Sequence, residues 1–458
     1  MTYDIRSPEY ADPKKLTQEL ERVFDVCHGC RLCHDLCPSF GTVLRRIDEE
    51  DGEVARLEPG DWNRVTDECY QCKLCFPKCP YTPPHEWAID IPRLLLRHKA
   101  ARVRREGIPL QDQALGRTDL IGTVACATAP VSNWALRNPL NRTLMEATVG
   151  IHRLRKLPTY ARETFAQWWA KRGNERPGPQ PASQLALQPD SQLAPGSASS
   201  PSPAAPGAAG APAPAVPDTV ALFYTCPVNY NQPEVGRAAV QVLERNGVAV
   251  ECPPQRCCGM PYLDGGDLEN AKKNAQANVD SLLPAVRRGA RVVVPGPTCS
   301  YMMKQEYGGL LGTPEAREVA SNTMDLFEYL ALRHRAGKLD TNVAQKPGKV
   351  AYHVPCHLKA QNIGFKSRDV LRIVGAEVAT VDKCCGVDGT WGLKKQYYEE
   401  SFKIAEPALT AFRNAQPATV VTDCPLAAIQ IEQGTGLKPR HPIQVLAECY
   451  EPRKETAS

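Results

Sequence analysis

The stretch CHGCRLCHDLCP, residues 27–38, spaces four cysteines as C-x2-C-x2-C-x3-C and follows the last of them with proline. A near copy, CYQCKLCFPKCP, occupies residues 69–80. When a chain carries two such blocks, three thiolates of one block bind one [4Fe–4S] cluster, and its fourth thiolate binds the other cluster. This rule assigns the first cluster to Cys27, Cys30, Cys33 and Cys79, and the second cluster to Cys69, Cys72, Cys75 and Cys37.

Zinc is the alternative occupant of cysteine blocks of this kind. Structural zinc sites use four ligands, commonly as two separated cysteine pairs. A further cysteine three residues after each pair has no role in such a site, yet both blocks have one. The spacing therefore favours two [4Fe–4S] clusters and one-electron transfer. His28 and His34, inside the first block, are interpreted as surface residues.

The composition limits the class of protein. A chain of 458 residues is long enough for about three domains. It has 19 cysteines and no apolar signal segment at its start, which favours metal or redox chemistry in a reducing cytoplasm. The longest uncharged apolar run, residues 121–131, is too short to span a membrane. A net charge of +4 is too small to indicate a nucleic-acid partner.

Local signals before residue 173 are helical. Asp12 and Pro13 predict a helix start, and an apolar stripe from Leu16 to Phe24 leads into the first block. Asp90 predicts the start of a second helix, which Gly107 ends. Residues 133–172 add basic amphipathic helical segments that could lie on an anionic membrane surface, although packing against the chain itself or a partner subunit is favoured.

The chain after residue 218 contains an internal duplication. VALFYTC (220–226) and VAYHVPC (350–356) are β-rich runs that end on cysteine. Each is followed by a helical pattern, a second strand, a CCG motif, another helix and a third strand that leads to a final cysteine. This alternation predicts two parallel-sheet α/β lobes.

We therefore predict an α+β multidomain fold, in which an α-helical two-cluster ferredoxin domain precedes two tandem α/β lobes with CCG motifs. The predicted ranges are 1–110 for the ferredoxin domain, 111–173 for the basic amphipathic segment, 174–218 for a disordered Pro/Ala/Ser linker, 219–345 for the first lobe and 346–458 for the second.

Each lobe offers four thiols near the carboxyl ends of strands, where α/β sheets commonly bind ligands. Adjacent cysteines do not readily form a disulfide with each other, which favours metal ligation. A further [4Fe–4S] cluster and a structural zinc ion both remain open, and buried apolar cysteines are the alternative. The candidate ligands are Cys226, Cys257, Cys258 and Cys299 in the first lobe, and Cys356, Cys384, Cys385 and Cys424 in the second.

The remaining cysteines and the histidines of the second lobe carry weaker signals. Cys126, Cys252 and Cys449 fall outside both patterns and are interpreted as ordinary cysteines. His353 and His357 flank Cys356 and could carry a proton, but the sequence favours no functional role for them.

These motifs resemble those of a known protein family. CCGMPYLDGGD (257–267), VPGPTCSYMMKQE (294–306), YHVPCHLKAQNIG (352–364) and CCGVDGTWG (384–392) are similar to segments of the C subunit of anaerobic glycerol-3-phosphate dehydrogenase, and the arrangement also resembles glycolate oxidase iron–sulfur subunits and heterodisulfide reductase-related proteins. The resemblance implies a helical ferredoxin domain with two [4Fe–4S] clusters. It also implies an electron-relaying role beside a flavoprotein dehydrogenase subunit or a rubrerythrin-like diiron protein.

The chain departs from the heterodisulfide reductase pattern at one position in each lobe. In heterodisulfide reductases, each CCG region ends in CxxC, and its five cysteines bind a noncubane cluster. Here Met302 and Ala427 stand where the last cysteine would be. The resemblance therefore does not extend to noncubane clusters or to heterodisulfide reduction.

The sequence favours an electron-transfer subunit of an oxidoreductase. It shows no G-x-G-x-x-G after a strand and no P-loop, so this chain is predicted to bind neither FAD nor NAD. One alternative is a reductase of disulfides or similar small substrates at a lobe metal site. Another is a pair of zinc-stapled lobes that dock a partner. The protein is predicted to be cytoplasmic, and it could also make peripheral contact with the inner face of the cytoplasmic membrane.

Overall fold

The computed structural model describes residues 2–175 and 218–451, so most of the predicted linker at 174–218 lies outside the described residues. Every regular element up to residue 175 is helical. These elements are α1 (Pro13–Cys30), α2 (Pro38–Glu49), α3 (Pro59–Glu68), α4 (Cys75–Lys78), α5 (Ile91–Glu106), α6 (Leu110–Gly116), α7 (Thr118–Ala127), α8 (Ala129–Arg137), α9 (Pro139–Thr148) and α10 (Phe165–Glu175).

The helix starts follow the predicted capping chemistry. The Asp12 carboxylate accepts a hydrogen bond from the backbone N–H of Lys15 at 2.8 Å and so caps α1. Asp90 caps α5 in the same way by accepting from the Arg93 N–H at 3.2 Å. The predicted apolar stripe of α1 is buried, with Phe24 packed against Phe40 of α2 and Trp62 of α3. This core fixes the helix ends that carry the cysteine blocks.

The first lobe is built on a four-stranded parallel sheet in the order β2-β1-β3-β4. Its elements are β1 (Thr219–Leu222), α11 (Cys226–Tyr230), α12 (Pro233–Arg245), β2 (Ala249–Glu251), α13 (Met260–Asp264), α14 (Leu268–Arg287), β3 (Arg291–Val294), α15 (Pro297–Tyr301), α16 (Tyr307–Leu311), α17 (Pro314–Ser321), β4 (Thr323–Asp325) and α18 (Leu326–Arg335). The central strands are almost wholly buried and apolar, as expected of a parallel sheet covered on both faces.

The second lobe repeats this plan with a three-stranded parallel sheet in the order β6-β5-β7. Its elements are β5 (Lys349–His353), α19 (Cys356–Ala360), α20 (Lys366–Ile373), β6 (Glu377–Val381), α21 (Tyr398–Ala415), β7 (Thr419–Thr422), α22 (Pro425–Thr435) and α23 (Pro442–Cys449). A single parallel bridge between Val421 and Arg440 stands where the first lobe has β4. The prediction of two duplicated parallel-sheet lobes is confirmed.

The helical part packs directly on both lobes. Phe165 of α10 is fully buried in the core of the first lobe, where it contacts Tyr224. The indole N–H of Trp391, in the second lobe, donates a 3.0 Å hydrogen bond to the carbonyl of Asp67. The two lobes also pack on each other through α12 against α23 and α18 against α20. These contacts bring the cysteine blocks and the lobe cysteines together.

Candidate metal centres

The first candidate centre lies at the carboxyl end of α1. The helix ends at Arg31, which takes the left-handed conformation with φ 51° and turns the chain back on itself. A cavity opens there, and every residue that lines it lies between Val26 and Ile91. Its cysteines are Cys27, Cys30, Cys33 and Cys79, with Cys75 at its edge. The structure thus groups the four thiols that the sequence assigns to the first cluster.

The second candidate centre lies beside the first, between α2 and α5. The cysteines that line its cavity are Cys37, Cys69, Cys72 and Cys75, the set assigned to the second cluster. Gln71 and Lys73 have φ values of 56° and 64°, so the loop alternates between left-handed and ordinary backbone and wraps its thiols around one space. That these cysteines line one cavity does not show that they bind a cluster, so the ligand assignment stays a prediction.

The donor chemistry of both cavities fits iron–sulfur clusters. All 19 cysteines are free thiols. Burial, together with the neighbouring thiols of Cys79, Cys33 and Cys30, raises the pKa of Cys27 to about 12. Burial likewise raises the pKa of Cys37 to about 12. Thiolates at such positions require a bound cation, and four sulfur donors around one cavity are the ligand set of a [4Fe–4S] cluster.

The first lobe brings its four predicted cysteines into direct contact. Cys226 begins α11 after β1, Cys299 lies in α15 after β3, and the CCG motif precedes α13. Hydrogen bonds from Cys226 and Cys258 lower the pKa of the Cys257 thiol, while the same contacts raise the pKa of both neighbours. The contacts run from Cys226 to Cys257, from Cys257 to Cys258 and from Cys258 to Cys299, so the four thiols form one connected set.

Two residues of α7, outside the duplicated lobes, also contact cysteines of the first lobe. Asp119 of α7 accepts a 2.7 Å hydrogen bond from the Cys257 backbone N–H, and its second oxygen lies 3.5 Å from the Cys226 sulfur. The hydroxyl of Thr118 donates to the same sulfur at 3.7 Å. The sequence analysis missed both residues, because nothing in the cysteine pattern links α7 to a motif more than a hundred residues away.

The second lobe holds its cysteines in a more open arrangement. The Cys385 sulfur lies 3.0 Å from Nε2 of His353, whose pKa burial lowers to about 4. The Cys384 sulfur accepts a 3.3 Å hydrogen bond from the Gly386 N–H. Cys424 precedes α22, and its pKa is raised by burial to about 11. All four cysteines of this lobe therefore lie at the carboxyl ends of β5, β7 and the loop after β6.

Cys356 is the cysteine of this second set that lies beside a carboxylate. Its sulfur lies 3.5 Å from Oδ2 of Asp388, and Oδ1 of that carboxylate lies 3.9 Å from Nδ1 of His357. The ligand atoms of Cys356, His357 and Asp388 all lie within 4.8 Å of one another. Desolvation raises the pKa of Asp388 to about 7. Among residues 2–175 and 218–451, this is the one group of three ligand residues compact enough to hold a metal ion by that distance.

The second cysteine block faces the second lobe. Tyr70, Cys72 and Trp391 form a buried cluster against which Cys37, Cys356 and Cys384 also pack. The phenol oxygen of Tyr70 lies 3.8 Å from the Cys384 sulfur. The cysteines of the second block and those of the second lobe thus meet at the side chains of Tyr70 and Trp391.

His357 joins three parts of the chain at this junction. Its Nε2 donates a 3.2 Å hydrogen bond to the Gln71 carbonyl, which leaves Nδ1 to accept from the Thr298 hydroxyl at 3.0 Å. Burial lowers the pKa of His357 to about 3, so the ring is neutral. The sequence analysis favoured no role for this residue, whereas the structure gives it a structural one.

The two histidines of the first block and the three cysteines outside both motif patterns have ordinary surroundings. His28 pairs with Asp48 at 2.8 Å and His34 with Asp35 at 2.7 Å, both at the surface. Cys126 donates to the Tyr230 carbonyl at 3.3 Å. Cys252 and Cys449 pack against the apolar cores of the lobes.

Comparison with known proteins gives matches along most of the chain. Residues 20–106 match the family "Citrate utilization protein B Fer4-like domain", and residues 220–304 and 350–432 each match "Cysteine-rich domain". The C subunit of anaerobic glycerol-3-phosphate dehydrogenase from Escherichia coli (strain K12) is 30% identical over 438 residues, which are 93% of this chain and 98% of that protein.

Two further relatives share shorter stretches. Lactate utilization protein A of Geobacillus thermodenitrificans is 30% identical over 38% of this chain and 74% of its own length. The B subunit of the fumarate reductase (CoM/CoB) of Methanothermobacter marburgensis is 28% identical over 46% of this chain and 41% of its own. These matches support iron–sulfur binding by the helical part and by the cysteine-rich lobes.

Proposed function

Because the chain belongs to the family of the C subunit of anaerobic glycerol-3-phosphate dehydrogenase, we propose that it relays electrons between a separate flavoprotein dehydrogenase subunit and an acceptor. The chain is an iron–sulfur electron-transfer protein. The identity of its electron donor, of its acceptor and of the substrate of its complex is part of the proposal. A rubrerythrin-like diiron protein is the alternative partner. The observation that carries the proposal is the contact between the second cysteine block and the second lobe.

In this proposal each cysteine block holds one [4Fe–4S] cluster with the ligands named above, and such clusters supply one-electron transfer when bound. The chain's own residues fix the order of the sites. The first cavity is lined only by residues of the helical part, whereas the second is lined by Cys72 and Tyr70, which contact the second lobe. Electrons would therefore pass from the first block to the second block and on to the second lobe.

The aromatic side chains at the junction keep water out of this route. Trp391 is stacked on Tyr397 with ring centroids 4.4 Å apart, and Tyr70 packs on the other side of Trp391 at 5.1 Å. The buried ammonium of Lys73 lies 3.6 Å from Asp264 of the first lobe, so a positive charge sits within the second cysteine loop. The Asp264 carboxylate offsets this charge, and the buried ion pair ties the second cysteine loop to the first lobe.

Metal analysis of anaerobically isolated full-length protein tests the proposal. We expect about eight irons and eight sulfides for the two blocks, with additional iron or zinc in the lobes. Zinc in addition to eight irons would make at least one lobe structural. Fewer than about four irons per chain would contradict the two-cluster assignment.

We also propose that the protein is cytoplasmic and contacts the inner face of the membrane at α7, α8 and α9. Within the described ranges, no helix combines the length and the apolar character needed to cross a bilayer. Helix α7 packs on α11 of the first lobe, α8 packs on α7, and α9 packs on α8. Large apolar side chains of these helices stay in water, with Trp134 exposed to 61% and Leu140 to 80%. Exposed arginines, among them Arg117 and Arg137, lie beside them. Apolar and basic residues together suit an anionic membrane surface.

Vesicle co-sedimentation tests this contact. Wild-type protein is expected to sediment with vesicles of anionic phospholipid and to remain in solution with zwitterionic ones. The double variant Leu120→Asp/Val124→Asp should lose most of this binding, because it places charges on the apolar face of α7. Leu110→Asp changes an exposed leucine of α6, outside the three helices, and it is the control that should bind as the wild type does. Absence of wild-type binding would leave a partner subunit as the occupant of this face.

A further inference from the structure

A carboxylate contacts the same cysteine in both lobes. Asp119 Oδ1 lies 3.5 Å from the sulfur of Cys226, and Asp388 Oδ2 lies 3.5 Å from the sulfur of Cys356. These two cysteines are equivalent in the duplication, since each follows the first strand of its lobe. The aspartates are not equivalent, because Asp388 follows the CCG motif of its own lobe and Asp119 belongs to α7. Two aspartates that are not equivalent in the duplication thus place a carboxylate beside the equivalent cysteine of each lobe.

The carboxylate of Asp388 is buried, and the ammonium of Lys73 acts on it only from beyond salt-bridge distance. The Asp388 side chain is 6% exposed, and in the part of the chain that the structure describes no lysine or arginine forms a salt bridge with it. The one basic side chain within 4.0 Å there is His357, whose Nδ1 lies 3.9 Å away. That distance is longer than a hydrogen bond, and the two ring nitrogens of His357 face the Gln71 carbonyl and the Thr298 hydroxyl instead. Burial of an unpaired carboxylate is costly, and a metal ion would remove the cost.

The chemistry of the surrounding donors suits a metal. The ligand atoms of Cys356, His357 and Asp388 lie within 4.8 Å of one another, close enough to share one ion. Sulfur, nitrogen and carboxylate oxygen are all ligands of zinc and of iron in proteins. His357 already uses both ring nitrogens in hydrogen bonds, whereas the side-chain partner of Asp388 Oδ2 is the Cys356 thiol, and the carboxylate also accepts from the Gly389 backbone N–H. Asp388 is therefore the better candidate of the two.

We propose that Asp388 is a metal ligand of the second lobe together with Cys356, and that Asp119 has the same role in the first lobe with Cys226. The inference rests on the proposed occupancy of the lobes by metal. It adds that the two sites have mixed sulfur and oxygen ligands instead of thiolates alone.

Three variants of the full-length, anaerobically isolated protein test this inference. Asp388→Asn keeps the size of the side chain and removes the charge, and it should lose most of the metal that the wild type holds in its second lobe. Asp388→Cys restores a thiolate donor and should retain that metal with changed Mössbauer or X-ray absorption spectra. Asp382→Asn removes an exposed aspartate of the same lobe that pairs with Lys359, and it should match the wild type in both readouts.

The readouts are iron, sulfide and zinc per chain and the spectra of the bound metal, with the signals of the two cysteine blocks as an internal reference. Wild-type metal content and spectra in Asp388→Asn would overturn the inference. If that variant does not fold, Asp388→Cys decides, because an unchanged spectrum there would also overturn it. About eight irons and no other metal in the wild type would overturn it while leaving the two-cluster relay intact. Fewer than about four irons would instead refute the relay.

Discussion

Replacing Cys72 with alanine should remove about four irons per chain and end electron transfer from the cysteine blocks to the lobes. Cys72 lines the second cavity together with Cys37, Cys69 and Cys75. It is also the cysteine of this set that belongs to the buried cluster with Tyr70 and Trp391 at the second lobe. Loss of one ligand from a four-thiol site opens the site to solvent, and the cluster that remains is expected to be lost on purification.

The measurement is iron and sulfide per chain, together with electron paramagnetic resonance spectra after stepwise anaerobic reduction. Cys30→Ala is the matched variant, since it should lose a similar amount of iron from the first cavity while the contacts of the second block with the lobe remain. Cys126→Ala changes a buried cysteine that hydrogen-bonds to the Tyr230 carbonyl, and it should keep all of its iron. Full iron content in Cys72→Ala would contradict the assignment of the second cluster.

Replacing Gly386 with alanine should destabilise the second lobe by more than about 3 kcal/mol, because two separate costs add. Gly386 ends the CCG motif with φ +63°, where an L side chain costs about 1–2 kcal/mol. A Cβ atom at this position would also overlap the carbonyl oxygen of Ser401 in α21. That oxygen accepts a hydrogen bond from the buried Gln430 at 3.3 Å, so it cannot move away cheaply. The loop that carries Cys384 and Cys385 should shift as a result.

Chemical unfolding followed by circular dichroism compares this variant with two glycine controls. Gly436→Ala has the same backbone strain, with φ +76°, but no atom within 4 Å of the added Cβ, so its cost should be only about 1–2 kcal/mol. Gly259→Ala, in the CCG motif of the first lobe, has φ +95° and meets the Ala271 carbonyl at 3.2 Å, which predicts an intermediate cost. Equal unfolding midpoints for Gly386→Ala and Gly436→Ala would show that the overlap is relieved by a small movement of α21.

The features that the sequence predicts are those set by spacing along the chain. The capped starts of α1 and α5 depend on neighbouring residues, and both were predicted from Asp12 and Asp90. The duplicated parallel lobes follow from alternation of strand and helix, and they are confirmed. The grouping of cysteines across the two blocks also follows from a spacing rule, although ligation itself stays a prediction.

The residues that the sequence analysis missed are those brought in by tertiary packing. Asp119 reaches the first lobe only because α7 packs on α11, and no local pattern marks it. The role of His357 depends on hydrogen bonds to Gln71 and Thr298, which belong to two other parts of the chain. The short strand β4 has three residues and lacks an apolar run, so periodicity could not identify it. Packing of distant segments is not encoded in any window of the sequence.

The packing of Phe165 and Asp119 on the first lobe has a consequence for how the gene could be divided. Both residues precede residue 176, and the partners that hold them follow residue 217. The two halves are therefore held by an interface with its own buried core, and a peptide bond between them is not what keeps them together. A split gene that encodes residues 1–175 and 218–458 as two polypeptides should yield a complex that assembles without the intervening stretch.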